Sequence, residues 1–314
     1  MARVLVTEKI SDKGLDLLRE AGHEVDVQLG LDADGLIAAV PGAHAIIIRS
    51  ATTVTAELIA AGTDLKIVGR AGIGLDNVDV DAATAHHVLV ANAPFSNAVT
   101  AAEHTLAMML AQARNIAQAH AALVEGRWER SKWNGVELAE KTLGIIGLGR
   151  IGALVAARAK AFDMNLLGYD PYVAPEHGAS IGCELVDLDT LMSSSDFVTL
   201  HLARTPETMN LIDADLLAKS KPGLRIINVA RGGIINEADL ADAIVNGNVG
   251  GAAIDVFASE PTTESPLFSL PQVTVTPHLG ASTAEAQLKA GVQVAEQVVL
   301  GLAGENVPFA VNAN

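Results

Sequence analysis

Three polar residues in the second half of the chain stand just past short runs that read as strands. Arg231 follows Arg225–Val229, Glu260 follows Gly251–Ile254 by a few residues, and His278 follows Val273–Thr276. A histidine can take up a hydroxyl proton near neutrality. A carboxylate beside it stabilises the imidazolium and fixes the ring. A guanidinium offers a planar, two-pronged grip on a substrate carboxylate. Together these are the groups needed to oxidise a hydroxyl carbon next to a carboxylate, provided that something accepts the hydride. Each also has a bland reading, as loop histidine, surface acid or loop cap, and spacing alone leaves their convergence open.

A hydride acceptor has its own signature. Lys141-Thr-Leu-Gly-Ile-Ile-Gly147-Leu-Gly149-Arg150-Ile151-Gly152 runs from an apolar strand into G-x-G-x-x-G and on into an alanine-rich helix, Ala153 to Phe162. Gly147 permits the tight turn, Gly149 lets backbone approach a pyrophosphate, and Gly152 lets the helix pack on the strand. Arg150 and Ile151 open the helix, whose free N–H groups and dipole favour a diphosphate. A second strand, Asn165–Tyr169, ends in Asp170, 21 residues beyond Gly149, where a carboxylate can bind both ribose hydroxyls. No Lys or Arg follows in Pro171-Tyr172-Val173, so NAD is expected rather than NADP. The strand ends carrying Ala230, Asp255, His278 and Gly280 are expected to line the same cofactor cleft.

The elements that must hold these residues form a βαβα rhythm. Over the first ninety residues the expected strands are Arg3–Val6, Glu24–Val27, Ala45–Ile48, Lys66–Gly69 and Val88–Ala91. Helical stretches lie around Lys13–Ala21, Ala33–Val40, Ala56–Ala61 and Val80–His86. Arg49 and the group Arg70, Gly72 and Ile73 follow strand ends and are placed to face a ligand. Asn92 to Asn97 reads as a linker, after which Thr100-Ala-Ala-Glu103 reads as a capping box opening one long helix to about Glu125. His104 and His120 on that helix read as packing or surface residues. A second capping box, Ser282-Thr-Ala-Glu285, opens a last helix expected to return to the first domain. The expected architecture is α/β with two doubly wound parallel sheets, residues 1–97 with 282–314 forming one domain and 98–281 the other.

Bulk properties narrow the partners. At 314 residues two domains are natural. A net charge of −16 argues against nucleic acid and anionic membranes. No apolar run is long enough to span a bilayer. The single cysteine, Cys183, reads as a small buried hydrophobe and fits a reducing, cytoplasmic setting. No metal site is expected. In so acidic a chain the patch Trp128-Glu-Arg130-Ser-Lys132-Trp133 is unusual.

At these residues the chain resembles the D-isomer-specific 2-hydroxy acid dehydrogenase family over nearly its whole length. The motifs are Gly69-Arg70-Ala-Gly-Ile-Gly-Leu-Asp76-Asn77, the turn at Gly147–Gly152, Asn228-Val-Ala-Arg231-Gly-Gly, Asp255-Val-Phe-Ala-Ser-Glu260-Pro and Pro277-His278-Leu-Gly-Ala-Ser. The resemblance implies a Rossmann NAD domain inserted in a flavodoxin-like substrate domain. It implies that Arg231 binds the substrate carboxylate and that Glu260 and His278 form the proton-transfer pair. Substrate contacts are expected from Arg49, Arg70, Gly72, Ile73, Asn97, Arg130 and Arg231, with Arg130 supplied across a homodimer or larger homo-oligomer. Arg49-Ser-Ala-Thr-Thr-Val-Thr, Trp128-Glu-Arg130 and the stretch after His278 are similar to members acting on a phosphorylated three-carbon hydroxy acid.

Two departures stand out. Leu202-Ala203 replaces a segment that usually carries a proline two residues after the histidine, and the chain stops where many members continue into a regulatory domain. Rival readings are a reductase of glyoxylate or hydroxypyruvate and, from another class, an NAD-binding transcriptional corepressor. A formate dehydrogenase is disfavoured because those enzymes carry glutamine where Glu260 stands.

Overall fold

Short β-branched and apolar runs separated by capped amphipathic stretches fold as the alternation demands. The computed structural model describes residues 1–313. The chain divides into two compact units, Met1–Asn97 with the segment from Ala281 onward, and Ala98–Gly280.

The first unit carries β1 (Arg3–Val6), β2 (Glu24–Val27), β3 (Ala45–Ile48), β4 (Ile67–Arg70) and β5 (Leu89–Ala91) in one parallel sheet of order β2-β1-β3-β4-β5. That is the flavodoxin-like order. Central β3 is Ala-Ile-Ile-Ile and wholly buried, as a strand covered on both faces must be. Ser11, Asp32, Thr55 and Asp79 each cap a helix by accepting an amide three residues on. The last helix, Ala284–Ala303, packs against helix Asp12–Glu20 and β4. The approach is close enough that a side chain on Gly14 would sit 2.5 Å from the carbonyl of Gly291.

The second unit carries β6 (Thr142–Ile146), β7 (Asn165–Tyr169), β8 (Glu184–Leu185), β9 (Phe197–Leu200), β10 (Leu224–Asn228), β11 (Val249–Ile254) and β12 (Val273–Val275). The sheet is seven-stranded and parallel, in order β12-β11-β10-β9-β6-β7-β8. This is the doubly wound Rossmann order with one strand added, and its direction reverses between β6 and β9. One apolar layer gathers Leu191, Val198, Ile226, Leu240 and Ile254. The other gathers Met109, Leu143, Val155, Phe197 and Ala253. Cys183 is 4% exposed, and burial pushes its thiol up to about 11, which makes it an inert core residue.

The structure departs from the sequence expectations in three places. The long helix is two, Ala98–Ala113 and Ile116–Val124, broken where Asn115 adopts φ 52° and donates to the carbonyl of Asn134 at 3.0 Å. Asparagine tolerates this left-handed geometry, and Val136 supplies an amide to the carbonyl of Ala113 at 2.9 Å. Thr100 is not an N-cap, because the helix is already under way at Ala98. Glu103 lies 3.7 Å from Arg158 instead of closing a box. In the last helix the cap is Thr283, not Ser282. Short elements such as β8 and helices Pro175–Ile181, Leu188–Ser194 and Ala214–Ala218 carry too few residues for a periodic signal.

Candidate active site

The glycine-rich turn joins β6 to helix Arg150–Lys160 at the point where strand order reverses. Gly147 has φ 94°, and a Cβ there would lie 2.6 Å from the carbonyl of His201, so only glycine fits. Around Gly149, by contrast, a Cβ would meet nothing within 4 Å. That open space lies against a helix start that no side chain caps. Asp170 closes the other side. Its Oδ2 accepts the amide of Leu148 at 2.8 Å and its Oδ1 the amide of Tyr172 at 3.0 Å. A carboxylate has about four lone-pair positions, so each oxygen keeps acceptor capacity for a ribose hydroxyl. Open space at a helix N-terminus with a carboxyl acceptor at the end of the next strand fits NAD.

The proton-transfer pair is in direct contact. His278 Nδ1 lies 2.5 Å from Glu260 Oε2, with the side chains 43% and 31% exposed. Burial raises the Glu260 carboxyl, but hydrogen bonds from His278 and from the Phe257 amide outweigh it and hold the group below its ordinary value. A Glu260 carboxylate only accepts, so Nδ1 carries the proton between them, and the neutral form of the ring then has its lone pair on Nε2. The backbone of His278 is left-handed, φ 55°, and its amide is held by the carbonyls of Asp255 (2.8 Å) and Thr276 (3.0 Å).

Asp255 sits beneath this turn, fully buried. Its Oδ1 accepts the amide of Leu279 (2.7 Å) and the hydroxyl of Thr276 (2.6 Å), and its Oδ2 accepts the amide of Gly280 (2.8 Å). Burial raises its pKa, but a contact from His104 and these bonds outweigh it and hold the carboxyl below its ordinary value. The adjacent loop is clamped by Asn228, to which the sequence motif assigned no role. Asn228, 1% exposed, accepts the amide of Ala230 and donates to the carbonyl of Arg231, both at 3.0 Å. Arg231 Nη1 donates to the carbonyl of Ala230 at 2.7 Å. A Cβ on the next residue, Gly232, would collide with the carbonyl of Phe257, so the Arg231 loop rests directly on the segment leading to Glu260. Glu237 gave no sequence signal either. Its Oε1 accepts the amide of Ala258 at 2.8 Å and its Oε2 the hydroxyl of Ser265 at 2.6 Å, fixing both flanks of Glu260.

The remaining expected residues are carried by other elements. Arg130 is exposed in a one-turn helix, Arg130–Lys132. Arg49, Arg70, Gly72, Ile73 and Asn97 belong to the first unit. Glu8 was not foreseen there. Its carboxylate accepts the amides of Arg49 (2.8 Å), Thr52 (2.9 Å) and Ala51 (3.2 Å), while Asn77 donates to the carbonyls of Arg49 and Thr52. The turn after β3 is thus held rigid from two sides. Gly72 (φ 154°) packs against the Arg70 guanidinium, and the carbonyl of Ile73 accepts from Asn92 at 2.7 Å.

A doubly wound sheet with a dinucleotide turn at its switch point and a histidine–carboxylate pair on the same edge defines a nicotinamide-dinucleotide protein of the dehydrogenase type. The chain belongs to the D-isomer specific 2-hydroxyacid dehydrogenase family, and residues 106–280 match the model of that family's NAD binding domain. It is 57% identical over 311 residues to the D-3-phosphoglycerate dehydrogenase of Mycobacterium tuberculosis, covering 98% of this chain and 58% of that one. The chain therefore spans somewhat over half the length of the curated relatives it matches. Among solved structures, a protein of Thermus thermophilus superposes with TM-score 0.91 at 32% identity, covering 98% of this chain and 99% of that one. An NAD-dependent formate dehydrogenase from Staphylococcus aureus, solved in complex with NAD, superposes with TM-score 0.86 at 33% identity, covering 99% and 98%. Among the described residues no helix is long and apolar enough to cross a membrane.

Proposed function

We propose that this chain oxidises 3-phospho-D-glycerate to 3-phosphohydroxypyruvate with NAD, the reaction that opens serine synthesis. The observation that carries the chemistry is the 2.5 Å contact between His278 and Glu260. NAD, when bound, accepts the hydride. His278 Nε2 takes the hydroxyl proton, and Glu260 stabilises the imidazolium so formed. Arg231, on the clamped loop beside Glu260, holds the substrate carboxylate. Gly147, Gly149, Arg150, Ile151 and Gly152 seat the pyrophosphate, and Asp170 the ribose. Ala230, His278 and Gly280 border the nicotinamide end, whereas Asp255, expected from the sequence to line the cleft, is fully buried and holds the turn from behind. Residues 1–97 and 282–314 act as the substrate domain, and residues 98–281 as the cofactor domain inserted in its sequence. A glutamate at position 260 speaks against formate oxidation.

The substrate assignment draws on the names of the curated relatives and on arginines beyond the one needed for the carboxylate. Arg49, Arg70, Gly72, Ile73 and Asn97 are the first unit's candidate substrate residues. Arg130 is a further candidate, supplied by a second copy in a homodimer of the cytoplasm. Self-association is supported by the exposed apolar side chains Ile116 (54%), Leu123 (56%), Val124 (73%) and Trp128 (81%) around the helix that precedes Arg130.

The test compares phosphoglycerate with glycerate. Arg49→Ala and Arg130→Ala each raise KM for phosphoglycerate about 10- to 100-fold, the worth of a charge-assisted contact, and leave KM for glycerate nearly unchanged. Mixing the two variants restores activity if Arg130 acts across the dimer. A wild-type protein that prefers glycerate overturns the substrate assignment and favours the glyoxylate or hydroxypyruvate reductase reading. No turnover of either favours a partner protein that binds NAD.

A further inference from the structure

His104 projects from helix Ala98–Ala113 toward the buried Asp255. Its Nε2 lies 3.3 Å from Asp255 Oδ1 and 3.2 Å from the hydroxyl of Thr276, and the side chain is 19% exposed. Asp255 accepts at both oxygens, from the amides of Leu279 and Gly280 and the hydroxyl of Thr276, and so acts as acceptor only. The Thr276 hydroxyl, 2.6 Å from Oδ1, spends its single proton on that oxygen. His104 must therefore bring a proton on Nε2, shared between Oδ1 and the threonine oxygen. This locks one tautomer and makes His104 the side chain that ties the helix to the carboxylate.

That carboxylate carries the turn presenting His278. It gathers the amides of Leu279 and Gly280, while the Asp255 carbonyl accepts the amide of His278. A histidine at φ 55° sits in a sparsely populated backbone region and stays there only while its surroundings over-determine it. We propose that His104 is a positioning residue for the transfer step, acting through Asp255 to hold the turn that aims His278. The inference rests on reading His278 as the proton acceptor.

A set of variants and one spectrum test it. His104→Leu fills similar volume without a donor, and its kcat falls about tenfold, the scale of one hydrogen bond to a charge, while KM for NAD stays within about twofold. His104→Gln keeps an N–H at similar reach and recovers most of the loss. In an Asp255→Asn background, His104→Leu produces no further loss. If the leucine variant fails to fold, His104→Asn, too short to reach, takes its place against His104→Gln. Nitrogen-15 spectra of the wild-type chain place the His104 proton on Nε2. Full activity in the leucine variant overturns the inference, as do equal losses in the leucine and glutamine variants, an undiminished effect in the Asp255→Asn background, or a proton on Nδ1. Measured alongside, a His278→Asn variant that keeps its turnover removes the reading of His278 itself, which the His104 results alone do not touch.

Discussion

Asp170 and Leu148 are joined by a hydrogen bond of 2.8 Å, from the amide inside the glycine-rich turn to the carboxylate at the end of the next strand. The acid proposed to read the ribose therefore also braces the loop proposed to hold the pyrophosphate. Asp170→Ala with Pro171→Arg is expected to raise the KM for NAD tenfold or more, from loss of a charged hydrogen bond worth about 1.5–3 kcal/mol, and to improve use of NADP. Because the brace is lost too, NADP in this variant stays poorer than NAD in the wild type. Steady-state kinetics with both cofactors measure this, and an unchanged preference for NAD places the ribose elsewhere.

Glu260 has its carboxyl held below the ordinary value, so its charge persists above that value and is lost only as pH falls through the depressed one. Across the neutral and alkaline range the carboxylate is constant, and pH changes in rate there do not come from Glu260. Glu260→Gln removes the charge while keeping shape, and kcat for alcohol oxidation should drop about 100-fold, the lower end of the range for acid–base assistance. NAD affinity, measured by fluorescence titration, should hardly move. Equal kcat in the two proteins would remove the carboxylate's charge from the mechanism.

Asp196 offers a purely structural titration. Its Oδ1 lies 2.8 Å from Lys221 Nζ and its Oδ2 accepts the amide of Thr142 at 2.9 Å. Burial raises the carboxyl, and these partners more than offset it, so the folded value lies below the unfolded one. Stability from this group is present above the unfolded carboxylate value of about 3.9 and is lost as pH falls through the folded one. Asp196→Asn should therefore lower Tm at pH 7, and the gap should close on acidification below about pH 4. Melting curves across that range decide it; a gap independent of pH means packing, not charge.

Much of the fold was legible because its signals are local. Ala45–Ile48 is a strand by composition alone, and Gly147, Gly149 and Asp170 carry their spacing in plain view. What stayed hidden acts at a distance through the backbone. Glu8 gathers amides more than forty residues away, and Glu237 grips Ala258 from the first turn of a helix where any acid looks like a dipole partner. The side chain of Asn228, the last residue of its strand, bonds to main-chain groups of the turn that follows. No periodicity marks such residues, since their value lies in which main-chain groups the fold brings to them. The break at Asn115 was masked likewise, because the apolar pattern runs across it unchanged.

The left-handed backbone at His278 bears on how that position should be probed. Most side chains carry a conformational penalty of about 1–2 kcal/mol in this region, and asparagine among the least. Alanine or a β-branched residue there would remove the imidazole and also load the turn, so a lower rate would mix lost chemistry with a displaced loop. Asparagine separates the two, and the difference in unfolding free energy between the asparagine and alanine proteins measures how firmly the surrounding amides impose that backbone. For anyone reshaping the site, the repertoire at position 278 is set first by a torsion angle and only afterwards by acidity.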